Sequence, residues 1–442
     1  MTTPSAPIRV LVIGGGFAGI SCARALAKHP DRVEVTLLDR NDYHQFQPLL
    51  YQVATSMLAP GDIAYPLRKI AAEYDSLTAH RRDVVAVDPV ARSVTTASGE
   101  TFTGDYLVLA AGSQPNFFGT PGAEHAFPLY SLDDAERLRT RIIQAFEEAD
   151  WDAGRADDGA ITFVIVGGGP TGVEVAGALS EMIATTMVHE FPKLAPNAKV
   201  QLVDHGHALL AMFADKGHEY TADRLTKDGV DLLMGLKVTE IGPGHVKLSD
   251  DRVIRTRTVI WGGGLMAAPV AGASGLPQGR GGRIDVQPDF TVAGFPGVLA
   301  IGDVANIPDK DGKTHPQLGS VALQSGGAAA KTILADLEGK PAKPFHYVDK
   351  GTMAMIGRGA AIAQVPPGVE LHGKLAFAAW LGVHAALMTG GSNRVNAFKS
   401  WAVDFFGRER APQALDWSGE PRMTWEDDDV AVAAPAARGD GG

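Results

Sequence analysis

Short runs of consecutive apolar residues recur along the chain, and several of them end directly at glycines. Residues 10–13 read VLVI before the glycine-rich segment 14–19, and residues 163–166 read FVIV before the glycine-rich segment 167–172. A strand that is buried on both faces reads as a continuous apolar run, and glycines then allow a tight reversal into a helix. The pattern therefore predicts two strand–turn–helix units of a parallel α/β sheet.

The two turns share a glycine spacing that suits the phosphates of a dinucleotide. The glycines at corresponding positions are Gly14, Gly16 and Gly19 in the first turn and Gly167, Gly169 and Gly172 in the second. Without side chains there, a pyrophosphate can approach the backbone at the helix N-terminus, where unpaired N–H groups favour negative charge. A pair of ordinary strand–helix turns is the alternative. We interpret the duplication as a protein that holds two dinucleotides and moves electrons between them.

An acidic residue follows each turn, at the end of a second apolar run. Asp39 follows residues 33–38, and Asp204 follows residues 200–203. Such an acid can bind the ribose hydroxyl groups of a dinucleotide. The gap before Asp204 is the longer one, and two prolines predict a loop over residues 187–197.

Each half closes with a further apolar strand that ends in small residues. Residues 106–112 end at Gly112, and residues 258–264 end at Gly264, 152 residues later. The first copy then resumes near residue 298. We predict an α/β fold with two Rossmann-like dinucleotide-binding domains, the second inserted in the first, and a small C-terminal domain. The predicted boundaries are 1–120 and 291–344 for the first domain, 121–290 for the second, 345–426 for the C-terminal domain and 427–442 for a disordered tail.

The two sites are expected to hold different cofactors. We assign FAD to the first turn, with Gly302 and Asp303 as a second contact to it, although Asp303 could instead cap the following turn. We assign the nicotinamide cofactor to the second turn, and we expect Gly112 to contribute to the FAD site and Gly264 to the nicotinamide site. Asp204 repels a 2′-phosphate, which favours NADH over NADPH, although protonated His205 and His207 could accept a phosphate.

Composition excludes several classes of function. The 442 residues carry a net charge of −11, which argues against a nucleic-acid partner, since nucleic acid would need a basic face. The first residues are polar, so we expect no signal peptide, and no apolar window reaches the roughly 18 residues of a spanning helix. We expect an intracellular protein.

The cysteine count decides how electrons can leave. Cys22 is the one cysteine of the chain, and a redox disulfide needs two. Dithiol flavoenzymes and sulfide-oxidising members of this architecture are therefore excluded, and Cys22 is expected to be a small buried hydrophobe. A single cysteine without a dense His/Asp/Glu cluster also predicts no metal centre.

Three longer segments resemble one family. Residues 44–54 (HQFQPLLYQVA), 169–174 (GPTGVE) and 345–354 (FHYVDKGTMA) are similar to signatures of type II NADH:quinone oxidoreductases, and the similarity runs from about residue 9 to about residue 410. The resemblance implies oxidation of NADH by FAD, transfer of electrons to a membrane quinone, and no proton pumping. It also implies a monotopic protein, held at the cytoplasmic face of the cell membrane by its C-terminal domain.

The resemblance also assigns roles to individual residues. Glu174 would line the nicotinamide side, Asp303 and Gln47 would contact FAD, Gln324 would face the quinone, and Lys350 would lie near the flavin ring. From its position alone, Glu174 is equally a carboxylate that complements the helix dipole. Lys350 is equally a solvated lysine.

The quinone segment departs from the family pattern. The family usually reads Ala-Gln-x-Ala-x-Gln, whereas residues 319–324 read GSVALQ, so Ser320 replaces the first glutamine. Serine offers one hydroxyl group rather than an amide, and quinone binding could be weakened or its headgroup preference altered. The alternative interpretation makes Ser320 and Gln324 polar neighbours on one helix face packed over the flavin.

The C-terminal region carries the expected membrane contact. Residues 375–388 are nearly all apolar but too short to span a bilayer. Phe398, Trp401, Ala402 and Phe405 recur with helical spacing, near the basic residues Lys399, Arg408 and Arg410. Residues 345–411 hold seven Lys or Arg against four Asp or Glu, which suits an anionic bilayer surface. The alternatives are a helix packed on the protein's own core and a homodimer interface.

Two other functions remain open at this point. A soluble NADH:acceptor flavoenzyme would pass electrons to a protein or to oxygen, and Ser320 together with the modest apolarity of 375–388 favours it. A non-catalytic NAD(H)-responsive flavoprotein would keep a reduced state that quinone does not reoxidise.

Overall fold

The computed structural model describes residues 6–366 and 368–406, which form two compact units. Of the described residues, the first unit contains 6–45, 64–116 and 265–349, and the second contains 46–63, 117–264 and 350–406 except 367. The described residues do not include the predicted tail 427–442 or the part of the C-terminal domain from residue 407. The bases Arg408 and Arg410 lie in that part.

The helices are distributed over both units. In chain order the α-helices are α1 Phe17–Leu26, α2 Leu50–Ala54, α3 Pro60–Ile63, α4 Leu67–Ala71, α5 Leu132–Trp151, α6 Ala153–Asp157, α7 Pro170–Met182, α8 Val188–Glu190, α9 Asp215–Lys227, α10 Pro269–Gly272, α11 Gly319–Leu337, α12 Gly373–Leu387 and α13 Gly391–Phe406. Short 3₁₀ turns occupy Gln47–Leu49, Ala123–His125, Ala195–Asn197, Arg280–Gly282 and Gly302–Val304.

The first unit is built on a six-stranded sheet. Its strands, in spatial order, are Thr291–Val292, Phe295–Ala300, Tyr106–Leu109, Ile8–Ile13, Val33–Asp39 and Leu77–Arg81. Neighbours are parallel except for the antiparallel pair at the Thr291–Val292 edge. The central strands are buried, and α1 and α11 pack against each other beside the glycine-rich turn. Smaller antiparallel elements of this unit are Tyr43–Gln45 with Ala64–Pro66, Val84–Asp88 with Ser93–Thr96 and Thr101–Thr103, and Ser113–Pro115 with Leu265–Ala267. The strands Ile284–Asp285 and Ala305–Asn306 form a parallel pair.

The second unit repeats the arrangement on a five-stranded parallel sheet. Its strands, in spatial order, are Phe127–Pro128, Thr258–Trp261, Thr162–Val166, Lys199–Asp204 and Val230–Met234. Two antiparallel three-stranded sheets complete the unit, namely Val238–Gly242, His245–Leu248 and Val253–Arg255, and Thr352–Gly357, Ala360–Val365 and Val369–His372.

The predicted duplication is confirmed by the order of strands. In each unit the strand that enters the glycine-rich turn lies between two others, the strand that ends at the acidic residue and the strand that closes the half. Both turns therefore stand at the carboxyl edge of a parallel sheet, where α/β proteins bind ligands.

The units differ from the predicted boundaries mainly at residues 46–63, at 265–290, which fall in the first unit, and from 350 to 406. Residues 46–63 cluster with the second unit because α2 packs against α5 and α7. The described residues between 350 and 406 also cluster there, because the strand Thr352–Gly357 packs against α7. Both associations join segments far apart in the chain, which local sequence patterns do not reveal.

The predicted loop over 187–197 is wrong at its beginning. Helix α7 continues through a π-helical turn, Ile183–Met187, into α8, and the helical run ends only at Glu190. Apolar side chains explain the extension, since Ile183 and Met187 are both buried.

Candidate functional site

The first glycine-rich turn leaves the N-terminus of α1 open. Gly14 has a φ of +111°, and a Cβ there would collide with the carbonyl oxygen of Ala110. A Cβ at Gly19 would collide with the carbonyl oxygen of Gly14. At Gly16, the N-cap residue of α1, no described atom other than its chain neighbours lies within 4 Å of the Cβ position. Two glycines thus serve close packing, and the third faces space in which an anion can meet the helix N-terminus.

The second turn has the same geometry. Gly167 also has a φ of +111°, and a Cβ at Gly172 would collide with the carbonyl oxygen of Gly167. Gly169 is the N-cap residue of α7, and no described atom other than its chain neighbours lies within 4 Å of its Cβ position. The two turns therefore offer equivalent places for a phosphate group.

The two acidic residues hold their turns by the same contact. Asp39 Oδ2 accepts the backbone N–H of Gly15 at 2.5 Å, and Asp204 Oδ2 accepts that of Gly168 at 2.6 Å. Burial raises the pKa of Asp39, and the N–H bond opposes that rise. Each carboxylate thus lies beside the turn, as a ribose-binding acid requires.

Asp303 lies in a polar cluster of the first unit. Ser113 Oγ donates to Asp303 Oδ2 at 3.2 Å, and Gln317 Nε2 donates to the Asp303 carbonyl oxygen at 3.0 Å. Burial raises the pKa of Asp303 to about 6, while the Ser113 hydroxyl and the charge of Arg283 work in the opposite direction. The neighbouring Gly302 donates its N–H to Ser325 Oγ at 3.1 Å.

His44 reaches the first turn, although its role was not predicted. Its Nδ1 lies 3.1 Å from the carbonyl oxygen of Gly15, and its ring meets Phe17 edge-on. Burial lowers the pKa of His44 to about 4, so the ring is neutral at pH 7. A histidine inside the apolar 44–54 segment was the available signal, because a buried polar group needs a partner.

Glu174 is held by backbone and indole groups of the second unit. Its Oε1 accepts the N–H of Met355 at 3.2 Å. The indole N–H of Trp380 faces the same carboxyl but does not reach good hydrogen-bond geometry. Although the residue keeps slight exposure, protein atoms surround its carboxyl, and this burial raises the pKa of Glu174 to about 8. The carboxyl is therefore mostly protonated at pH 7.

The residues predicted to face the quinone engage neighbouring groups. Gln324 Nε2 donates to the Val348 carbonyl oxygen at 3.0 Å, and Gln324 Oε1 accepts the Val348 N–H at 3.0 Å. Ser320 Oγ and the Tyr347 hydroxyl are hydrogen-bonded at 2.8 Å. The Gln324 amide thus bonds residue 348 to α11. The hydrogen-bonded hydroxyl groups of Ser320 and Tyr347 join the same two segments.

The remaining predicted site residues are spread over both units. Gln47 lies in the second unit, where its Nε2 is 3.5 Å from the Tyr130 carbonyl oxygen. Gly112 and Gly264 have φ values of +72° and +114°, which fit the turns that close each half. Lys350 is exposed on the segment before the strand Thr352–Gly357.

The C-terminal helices expose a set of large apolar side chains. These are Leu375, Val383 and Leu387 on α12 and Val395, Phe398, Val403 and Phe405 on α13. Leu375 is 66% exposed, whereas Trp401, predicted to share the surface of Phe398 and Phe405, is 6% exposed. That part of the prediction is wrong, because the Trp401 indole N–H turns inward and donates to Gln52 Oε1 at 2.7 Å. Among the described residues, no helix combines the length and apolar character needed to cross a bilayer.

Comparison with known proteins agrees with this geometry. Residues 8–326 match the family described as pyridine nucleotide-disulphide oxidoreductase. The chain is 36% identical to the type II NADH:quinone oxidoreductase NdhA of Mycobacterium tuberculosis, over 92% of this chain and 89% of that protein.

Solved structures show the same fold. The structure of NDH2 from Plasmodium falciparum in complex with NADH has a TM-score of 0.85 at 17% identity, over 92% of this chain and 100% of that one. The sulfide:quinone oxidoreductase of Aquifex aeolicus has a TM-score of 0.68 at 18% identity, over 92% and 96%.

The duplicated turns and their acids define a flavin- and nicotinamide-type oxidoreductase fold. The chain belongs to the type II NADH:quinone oxidoreductases, within the pyridine nucleotide-disulphide oxidoreductase family.

Proposed function

We propose that the protein oxidises NADH with FAD as its cofactor and passes two electrons to a quinone, without pumping protons. The observation that carries this proposal is the duplicated turn, with an open helix N-terminus and a ribose-binding acid in each unit. Family membership supports the same reaction.

The first unit has the groups that FAD needs. The open backbone at Gly16 suits the pyrophosphate, Asp39 suits the ribose, and the buried Asp303 carboxyl suits a hydroxyl group of the ribityl chain. The bound flavin would accept a hydride from NADH and deliver two electrons to the quinone. The chain's own residues bind and orient the reactants and manage the protons.

The second unit would bind NADH. Gly169 and the N-terminus of α7 would receive its pyrophosphate, and Asp204 would bind the adenine-side ribose hydroxyls. The negative charge of Asp204 opposes a 2′-phosphate, which favours NADH over NADPH.

Glu174 is proposed as the proton-handling residue. Reduction of a quinone to a quinol consumes two protons, and a carboxyl with a pKa of about 8 can hold and release one near neutral pH. Lys350 is proposed as a further contact of the flavin, and Gln324 as a contact of the quinone. The Gln324 amide is paired with Val348 and the Ser320 hydroxyl with that of Tyr347, and the hydroxyl that accepts in this pair can still donate its own hydrogen to a quinone oxygen.

We also propose that the C-terminal helices α12 and α13 contact a membrane surface. The exposed apolar side chains of α12 and α13 lie on helices that also carry the exposed bases Lys374 and Lys399. Apolar side chains flanked by bases suit an anionic bilayer surface, here the cytoplasmic face of the cell membrane. A homodimer contact is the competing use of the same side chains.

Steady-state turnover tests the reaction. The FAD-loaded protein is mixed with NADH and a short-chain quinone, and NADH loss and quinol formation are measured together. We expect one quinol formed for each NADH oxidised, with slow NADH loss when quinone is omitted. NADH loss that needs oxygen and forms no quinol would instead support the soluble flavoenzyme.

A further inference from the structure

A line of buried polar groups begins on helix α13. The indole N–H of Trp401 donates to Gln52 Oε1 at 2.7 Å. The amide Nε2 of Gln52 then donates to the Tyr51 hydroxyl oxygen at 3.0 Å. Gln52 is fully buried, and Tyr51 and Trp401 are nearly so. A helix at the C-terminal end of the described chain is thus bonded to a polar pair on α2.

The hydrogen bonds end at the sulfur of Met355, and the covalent frame of that residue connects them to the carboxyl of Glu174. The Tyr51 hydroxyl donates to Met355 Sδ at 3.1 Å, and the Met355 N–H donates to Glu174 Oε1 at 3.2 Å. A second route runs through aromatic rings, because the ring of Trp401 meets that of Trp380 edge-on at 6.0 Å, and Trp380 faces the carboxyl. Two routes therefore join α13 to one carboxyl group.

We propose that Trp401 and Gln52 are positioning residues for Glu174, which tie helix α13 to the carboxyl through Tyr51 and Met355. The proposal rests on the proposed function in one respect, the use of Glu174 as the proton-handling group. It adds that the placement of α13, whose other side chains Phe398 and Phe405 are exposed, sets the surroundings of that group.

The chemistry of the line argues for more than packing. Gln52 stands in the otherwise apolar run LLYQVA, where a leucine would fill space without needing partners. A buried amide is tolerated only when its donors and acceptors are matched, and here Trp401 and Tyr51 match them. Loss of the Trp401 N–H would leave the Gln52 oxygen without its donor and free the amide to turn.

Burial and hydrogen-bond donors, rather than a neighbouring charge, set the pKa of Glu174. Tyr51 on α2 has a pKa raised well above its usual value by burial and by the charge of Glu174. His384 on α12 stacks on Trp380, and burial lowers its pKa to about 4, so it stays neutral. Glu181 lies further along the same helix α7, and the Asp228 carboxylate is paired with Arg224. A change in the Glu174 titration is therefore attributable to its hydrogen-bond donors.

The decisive variant is Trp401→Phe, which keeps an aromatic ring beside Trp380 and removes only the N–H donor and the second ring. Infrared difference spectra of the FAD-loaded protein follow the Glu174 carboxyl band, identified by its absence in Glu174→Gln, as the pH is varied without turnover. We expect the pKa of Glu174 to rise by about half a unit or more, because a displaced Met355 N–H no longer stabilises the carboxylate. The pH profile of kcat should move in the same direction.

Two comparisons separate positioning from packing. Gln52→Leu should give the same shift, and the double variant should add little to either single one, because both remove the same contact. Trp151→Phe, at an indole on α5 that is 88% exposed, should leave the titration unchanged. Thermal unfolding checks that each variant is folded. If Trp401→Phe and Gln52→Leu do not fold, Tyr51→Phe, which removes the next hydroxyl of the line, is tested in their place.

An unchanged carboxyl titration in folded Trp401→Phe and Gln52→Leu would overturn the proposal and leave these residues as packing. A shifted band in a protein that fails to reduce quinone would keep the positioning role and reject the proposed function. The infrared readout therefore distinguishes the two failures.

Discussion

Glu174 Oε1 accepts a hydrogen bond from the backbone N–H of Met355, although the two residues are 181 positions apart. A glutamate near the start of α7 is thus held by the strand Thr352–Gly357, and α12 supplies the indole of Trp380 beside it. An interaction with the helix dipole alone does not describe these surroundings. The contact places an ionisable group in an environment that favours its neutral form.

This environment predicts a pH-dependent stability difference for Glu174→Gln. The pKa of Glu174 is raised from about 4.5 to about 8 by burial, so the neutral carboxyl stabilises the fold at low pH. That contribution is lost as the pH rises from the unfolded pKa through the folded one. The native protein should therefore lose stability relative to Glu174→Gln between pH 5 and pH 8, measured by denaturant unfolding. Parallel stability curves would contradict the buried-carboxyl description.

Gly169→Ala tests the second dinucleotide site. The backbone there is extended, with φ −75° and ψ −177°, and open space lies at the Cβ position, so alanine should not disturb the fold. The methyl group would instead meet the phosphates of NADH, and we expect the KM for NADH to rise about tenfold or more. The FAD content and Tm should stay unchanged. The matched variant Gly16→Ala should lower FAD content instead, and equal effects of both variants on NADH would contradict the assignment.

Ser320→Ala tests the quinone side. The substitution removes the hydroxyl group that is hydrogen-bonded to Tyr347, and Tyr347→Phe removes its partner. We expect either variant to raise the KM for a short-chain quinone about fivefold, the equivalent of one hydrogen bond of about 1 kcal/mol. Flavin reduction by NADH should be unaffected. A control is Ser98→Ala, in the turn between two surface strands, and a loss confined to flavin reduction would reject the quinone role.

The exposed apolar side chains of the C-terminal helices predict binding to vesicles. Leu375→Asp and Phe398→Asp should each lower co-sedimentation with anionic vesicles about tenfold or more, because burying a large apolar side chain contributes about 2 kcal/mol. Trp151→Asp, at an apolar residue on α5 that is more exposed than either of these, should bind as the native protein does. Light scattering measures the oligomeric state of the same variants. If these side chains instead form a dimer interface, the substitutions would dissociate a dimer without any change in lipid binding.

Local patterns in the sequence were sufficient for the fold and the two turns. Buried parallel strands read as apolar runs, and the glycines at 14, 19, 167 and 172 are required by contacts within a few residues or with the neighbouring strand. Asp39 and Asp204 end such runs, so their places beside the turns follow from the same local reasoning.

The polar partners of the site could not be predicted in this way. Trp401 and Gln52 are separated by 349 positions, and helical spacing alone placed Trp401 with the exposed Phe398. The bond between Ser113 and Asp303 joins residues 190 positions apart. Such pairs depend on how distant segments pack, and the only sequence signal was a polar residue within an apolar run.

The central claim is that reduced flavin in this protein is reoxidised by quinone. The direct measurement is anaerobic: the FAD-loaded protein is reduced with NADH, a short-chain quinone is added, and flavin absorbance is followed in a rapid-mixing instrument. The account predicts fast bleaching with NADH and fast recovery with quinone. Bleaching without recovery would contradict it and would favour a protein acceptor or a non-catalytic NAD(H)-responsive flavoprotein.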